Sequence, residues 1–121
     1  MRNIILAVAL LFSTSATAHE MTPTYFNITP TIYDNIYVVK MNIFNRRDDA
    51  SHYQFEAYTE DWVPIVYASF NRQLKLQFGE GASVDLYFRE KDVSRLTYIC
   101  SRSIIDQDSS VSSLICSKVK E

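Results

Sequence analysis

The stretch Ile36-Tyr37-Val38-Val39-Lys40-Met41-Asn42-Ile43-Phe44 decides how this chain folds. Tyr37, Val39, Met41 and Ile43 place an apolar side chain at every odd position, while Lys40 and Asn42 interrupt the even phase. A period of two marks a strand with one buried face, because successive side chains point to opposite sides of a sheet. A polar turn, Asn45 to Ser51, follows. His52 to Thr59 then repeats the pattern, with Tyr53, Phe55 and Ala57 on one face and Gln54 and Glu56 on the other. Val84, Leu86 and Phe88 give a third such segment, with Asp85 and Arg89 outward.

The flanking sequence reads the same way. Thr22 to Thr29, bounded by Pro23 and Pro30, suits an edge strand, since proline cannot donate to a ladder. Glu60-Asp61-Trp62-Val63-Pro64 breaks the alternation, and Ile65 to Phe70 is a short strand or an irregular crossing. Leu74, Leu76 and Phe78 are expected inward ahead of a turn at Gly79-Glu80-Gly81. Leu96 to Ser101 and Ser112 to Val119 are the last two strands, joined through a polar loop around Asp106 to Ser110. Seven or eight short strands, with no convincing amphipathic helix, indicate an all-β, immunoglobulin-like sandwich of antiparallel strands.

The first eighteen residues carry an address. Arg2, an apolar run from Ile4 to Phe12 and the small residues Ala16-Thr17-Ala18 have the layout of a signal peptide cleaved between Ala18 and His19. The apolar run is about half of the ~20 residues that span a bilayer, so no retained membrane anchor is expected. Removing residues 1–18 from 121 leaves 103, enough for a single domain over residues 19–121. The expected location is periplasmic or extracellular. Loss of Arg2 takes the formal net charge from −2 to −3, which gives no electrostatic case for nucleic acid or an anionic membrane.

Cys100 and Cys116 are the only cysteines. In an oxidising compartment they pair most simply with each other, across fifteen intervening residues, and clamp the terminal hairpin. The spacing is not the C-x-x-C of a redox pair.

Other residues carry a family resemblance. Pro23-Thr24, Phe44-Asn45 ahead of a charged turn, Tyr53-Gln54-Phe55-Glu56-Ala57-Tyr58 before Asp61-Trp62, and Leu76-Gln77-Phe78-Gly79-Glu80-Gly81-Ala82-Ser83-Val84 closing in Phe88-Arg89 form one series. Over about residues 22–100 the chain resembles the amino-terminal domain of PapD-like periplasmic pilus chaperones, an immunoglobulin-like sandwich. The resemblance implies protein binding by strand addition. In that family an Arg on the first strand and a Lys on the last hold a pilin's terminal carboxylate. Thr22 to Thr29 contains no Arg, and Lys118 lies on the last strand. The chain is also similar to small exported proteins of unknown function from tailed phages of marine bacteria, in Tyr98-Ile99-Cys100-Ser101 and Ile115-Cys116-Ser117-Lys118. That likeness implies no activity.

Several residues have chemistry to weigh. As a new N-terminus, His19 offers an imidazole and an α-amine, a chelating pair suited to copper, with His52 the only second imidazole. Asp48-Asp49 beside Arg46-Arg47 reads as a solvated charge cluster, and nothing places Glu60-Asp61 in a cleft. Asp106-Gln107-Asp108-Ser109-Ser110 alternates oxygen ligands but lacks the Gly and distal Glu of a calcium loop. No G-x-S-x-G elbow is present. Trp62 beside Pro64 is a core or corner residue, or an aromatic that stacks on a sugar or a partner. The expected function is a non-enzymatic, exported, protein-binding sandwich without a cofactor that uses an edge strand. The alternative is a copper- or carbohydrate-binding module using His19 or Trp62.

Overall fold

The computed structural model describes residues 19–105 and 111–121. The segment expected to be a signal peptide and the loop weighed for calcium lie outside the described residues. Within them the strand segments are β1 (Glu20–Thr22), β2 (Tyr25–Phe26), β3 (Thr29–Pro30), β4 (Ile36–Phe44), β5 (Ala50–Tyr58), β6 (Gln73–Lys75), β7 (Gly81–Arg89), β8 (Tyr98–Ile105) and β9 (Val111–Val119). A single helical turn, α1 (Glu90–Val93), links β7 to β8. The fold is an all-β sandwich.

One sheet is built on β4, which pairs with β7 along its whole length on one side and with β1 and β3 on the other. The second sheet runs β2-β9-β8-β5-β6. The inward phases expected for the long strands hold. Val39, Met41 and Ile43 of β4 are buried, as are Tyr53, Phe55 and Ala57 of β5 and Val84, Leu86 and Phe88 of β7. Met21, Phe26, Leu76, Leu96 and Ile99 complete the apolar layer between the sheets.

Two expectations are corrected, and two further segments are settled. Thr22 to Thr29 is not one edge strand, because it changes sheets twice. β1 pairs with β4, β2 runs parallel to the end of β9, and β3 returns to β4. Pro23 ends the first of these contacts by withholding a backbone donor. Phe78 is exposed instead of inward, since β6 stops at Lys75 and only Leu76 continues into the core. The charged segment after Arg89 closes into α1, where buried Asp92 receives hydrogen bonds from Arg89 and Arg95. Ile65 to Phe70 is an irregular crossing that touches the sheets at two isolated bridges, Tyr58 with Pro64 and Ala68 with Tyr87.

Cys100 and Cys116 form a disulfide directly across the β8–β9 ladder, with Cα atoms 4.0 Å apart. The bridge therefore clamps one hairpin within a sheet and does not join the two sheets. Closing a fifteen-residue loop in the unfolded chain corresponds to roughly 3 kcal/mol. The Cys100→Ala/Cys116→Ala variant is expected to unfold in urea with about that much less stability and with a larger denaturant slope, because its unfolded state is more open. An unchanged midpoint would show that the ladder alone holds the hairpin.

Candidate functional site

Strands with one buried face ordinarily place apolar side chains inward, yet β8 and β9 turn Ser101, Ser103 and Ser117 into the sandwich. Hydroxyls buried there need partners, at a cost of roughly 1–3 kcal/mol for each one left without. His19 meets part of that need. Its imidazole lies almost wholly buried between the two strands, with Nε2 2.7 Å from Ser101 Oγ and Nδ1 2.9 Å from Ser113 Oγ. In the neutral ring one nitrogen donates and the other accepts. Ser113 Oγ lies 2.6 Å from Ser103 Oγ, and Ser117 donates to the Pro23 carbonyl at 2.7 Å.

The seam continues into the turn after β4. The His19 ring packs 4.9 Å from the Tyr53 ring, and the Tyr53 hydroxyl donates to Asn45 Oδ1. Buried Asn45 donates from Nδ2 to the carbonyls of Ala50 and Leu76 and accepts the Arg47 amide at Oδ1. Its own carbonyl accepts from Gly79, whose φ of +82° suits a residue without a side chain. Among the described residues no buried side-chain polar atom lacks a partner.

Above this seam β9 is open at its edge. The short Cα separation at Cys100–Cys116 is that of a non-hydrogen-bonded antiparallel pair, nearer about 4.5 Å than 5.5 Å. In such a pair the N–H and C=O of Cys116 point away from β8. Lys118 has the same parity, and its N–H crosses to the Thr24 carbonyl at 3.0 Å. Leu114, two residues before Cys116, shares it. The only strand that pairs with β9 on that side among the described residues is β2, which reaches Lys118 and Val119. Among the described residues the outward backbone groups of Leu114 and Cys116 therefore have no strand partner.

The remaining residues of interest are dispersed. His52 is exposed on β5, next to buried Tyr53, so the two imidazoles face opposite sides of the sheet. Both His19 nitrogens are engaged by serines. Among the described residues no three His, Cys, Asp or Glu side chains gather as a ligand set. Asp49 accepts two 2.7 Å hydrogen bonds from Arg47, and Arg46 pairs with Glu20 of β1 at 2.9 Å, so both arginines of the turn are paired. Trp62 sits at the corner after β5 and is half-exposed, stacked on Tyr98. No helix among the described residues is long and apolar enough to cross a membrane. No protein-family model matches the chain, and no curated protein matches it.

Sequence reading missed the serines and Asn45 as a group. Their signal was an interrupted alternation: Ser101, Ser103, Ser113 and Ser117 occupy the inward phase of strands that otherwise carry Ile99, Ile115 and Val119.

Burial pushes the His19 imidazole below its ordinary value, the Ser101 hydrogen bond opposes this, and the Arg47 charge adds to the lowering. The unfolded chain thus takes up the proton first on acidification. Stability supplied by the neutral ring is complete above an unfolded imidazole's value of about 6.5 and is lost as pH falls from there toward the folded value. Urea midpoints of the protein are expected to drop between about pH 7 and pH 5, ahead of the carboxylate range. His19→Ala should cost about 2–3 kcal/mol at neutral pH and flatten that segment of the profile. A profile that keeps its slope in the variant would place the titration elsewhere.

Proposed function

We propose that this chain is an exported, non-enzymatic sandwich that binds another protein by adding that protein's strand to the open edge of β9. The observation that carries this reading is the parity of β9. Leu114 and Cys116 present backbone donors and acceptors outward at strand spacing, on an edge that β2 covers only at Lys118 and Val119. Strand addition uses such groups for affinity and alternate side chains for selectivity.

The hairpin beneath the edge is well suited to the task. The disulfide and the serine–His19 seam fix β9 from its outer and inner faces, so an incoming strand meets an ordered template and loses less entropy on binding. A pilus-chaperone-like role is the specific form of this reading, and the resemblance over residues 22–100 supports it. The carboxylate anchor of that family does not transfer as a pair. The segment from Glu20 to Pro30 has no Arg, and Lys118 is the one candidate cation on β9 for such an anchor.

Proline at position 114 separates this edge from the rest of the fold. Leu114→Pro removes an outward N–H and leaves the bonds to β8 in place, whereas Ser113→Pro would break one. A photo-reactive side chain at position 114 is expected to cross-link a discrete partner in cells that export the protein, and one on the opposite sheet at Lys40 is not. Isolated partner should protect the Leu114 and Cys116 amides from hydrogen exchange, and Leu114→Pro should abolish binding with little change in stability. Protection of both amides in the free monomer, or binding untouched by Leu114→Pro, would remove this edge as the site.

A further inference from the structure

A different surface, on the outer face of the β8-containing sheet, has the chemistry of a ligand site. β5, β8, β9 and β2 place Tyr58, Tyr98, Lys118 and Tyr25 in one lateral row across the sheet. Over the first two lies Trp62. Its ring is parallel to that of Tyr98, 4.1 Å away with 3° between the planes, and Tyr58 packs against it at 5.6 Å and 56°. Trp62 is nevertheless 51% exposed. With one indole face covered at van der Waals distance, exposure of that size requires the opposite face to be open to solvent.

The arrangement is held in place at a backbone cost. Trp62 has a φ of +63°, a left-handed conformation unfavourable for a bulky side chain. The turn around it is tied by Trp62 N–H to the Thr59 carbonyl at 3.0 Å and by Thr59 N–H to the Val63 carbonyl at 2.9 Å. Thr59 Oγ1 accepts from the Asp61 and Val63 amides. The Tyr58 hydroxyl donates to Glu56, which also accepts from Arg102 Nε at 2.6 Å. Burial works against the Glu56 carboxylate, but these two donors outweigh it and hold the carboxyl below its ordinary value. The aromatic cluster is thus rigid before any ligand arrives.

A groove of about 410 Å³ lies along the same turn, lined by the residues on either side of Trp62, among them Glu60, Asp61 and Val63, together with Ser94, Arg95 and Thr97. Arg95 is oriented by a 2.6 Å bond to Asp92, and the Glu60 and Asp61 carboxylates are exposed. An open aromatic plane on the turn whose neighbouring residues line a groove of acceptors and donors matches one ligand chemistry closely. A pyranose ring has an apolar C–H face to lie on the indole and equatorial hydroxyls to reach carboxylates and a guanidinium. The two rim carboxylates disfavour a phosphate-bearing ligand. The rings stack on one another and leave no cup between them for a quaternary ammonium.

We propose that Trp62, stacked on Tyr98, together with the adjacent groove lined by Glu60, Asp61 and Arg95, is a binding site for a neutral oligosaccharide. It is separate from the open edge of β9 at Leu114, so either reading can fail alone. Trp62 is the only tryptophan, which makes the emission of the intact, disulfide-bonded mature chain a reporter of this one site. Titration with cellotriose, chitotriose and maltotriose is expected to give a saturable emission change with at least one of them. By calorimetry, Trp62→Ala should weaken that sugar by roughly ten- to a hundredfold. Trp62→Gly should lose binding equally while unfolding no more easily than the parent, because glycine relieves the positive φ. Glu60→Ala/Asp61→Ala, which leaves the ring stack untouched, should also weaken binding. Absence of saturable change with all three sugars overturns the proposal. So does sugar binding that survives Trp62→Gly and the double variant.

Discussion

The rest of the sandwich depends on the neutral His19 imidazole held between Ser101 and Ser113. A serine that faces a core must be hydrogen-bonded, and an antiparallel ladder has already committed the backbone groups beside it. One aromatic ring with a nitrogen at each end satisfies two hydroxyls on adjacent strands while filling apolar volume against Tyr53. The neutral ring provides one donor and one acceptor, and each serine takes either role. Protonation gives the ring two donors and a charge in a buried site, close to the Arg47 guanidinium that already disfavours it. The first residue of the described chain is therefore part of the core.

That constraint explains the path of the segment that follows. Having placed His19 between β8 and β9, the chain must leave along the other sheet, because Met21 fills a core position and β1 pairs with the end of β4. It crosses back so that Phe26 is buried and Ser117 reaches the Pro23 carbonyl, then returns to β4 at Thr29. A single straight strand would satisfy one sheet and leave the other without its lid. Asn45 does the equivalent work at the opposite corner, where one side chain bonds the turn after β4, the start of β5 and the end of the β6 segment.

The legible part of the fold was the part governed by a local period. β4, β5 and β7 are nine-residue strands with one face buried against a single opposing sheet, so alternation along each chain segment reports its environment directly. The illegible parts depend on partners distant in sequence. Thr22 to Thr29 looks uniform, yet its residues serve two sheets in turn. Phe78 continues an alternating pattern past the point where pairing with β5 ends at His52–Lys75. The inward serines resemble interruptions until a histidine 82 residues away is found between them. Trp62 was legible as a core or corner aromatic, or one that stacks on a sugar or partner; it is half-exposed at a corner, and its stack on Tyr98 requires β5 and β8 to be neighbours.

The same hairpin resolves a conflict between openness and order. An exposed edge long enough to accept a partner strand is also an edge at which copies of a chain aggregate. Here the register shift between Ser103 and Ile104 distorts the ladder toward the start of β9, and β2 closes its far end at Lys118 and Val119. Bulges and short local covers of this kind limit pairing to a defined window. Leu114 and Cys116 fall within that window. The disulfide sits on its outer face and the serine seam on its inner face, and both hold this part of β9 extended where no described strand pairs with it. Polar residues inside β9 weaken the apolar core, but they anchor the strand from below in a register that greasy contacts alone specify poorly. The serines that make β9 a poor core strand make it a well-positioned edge.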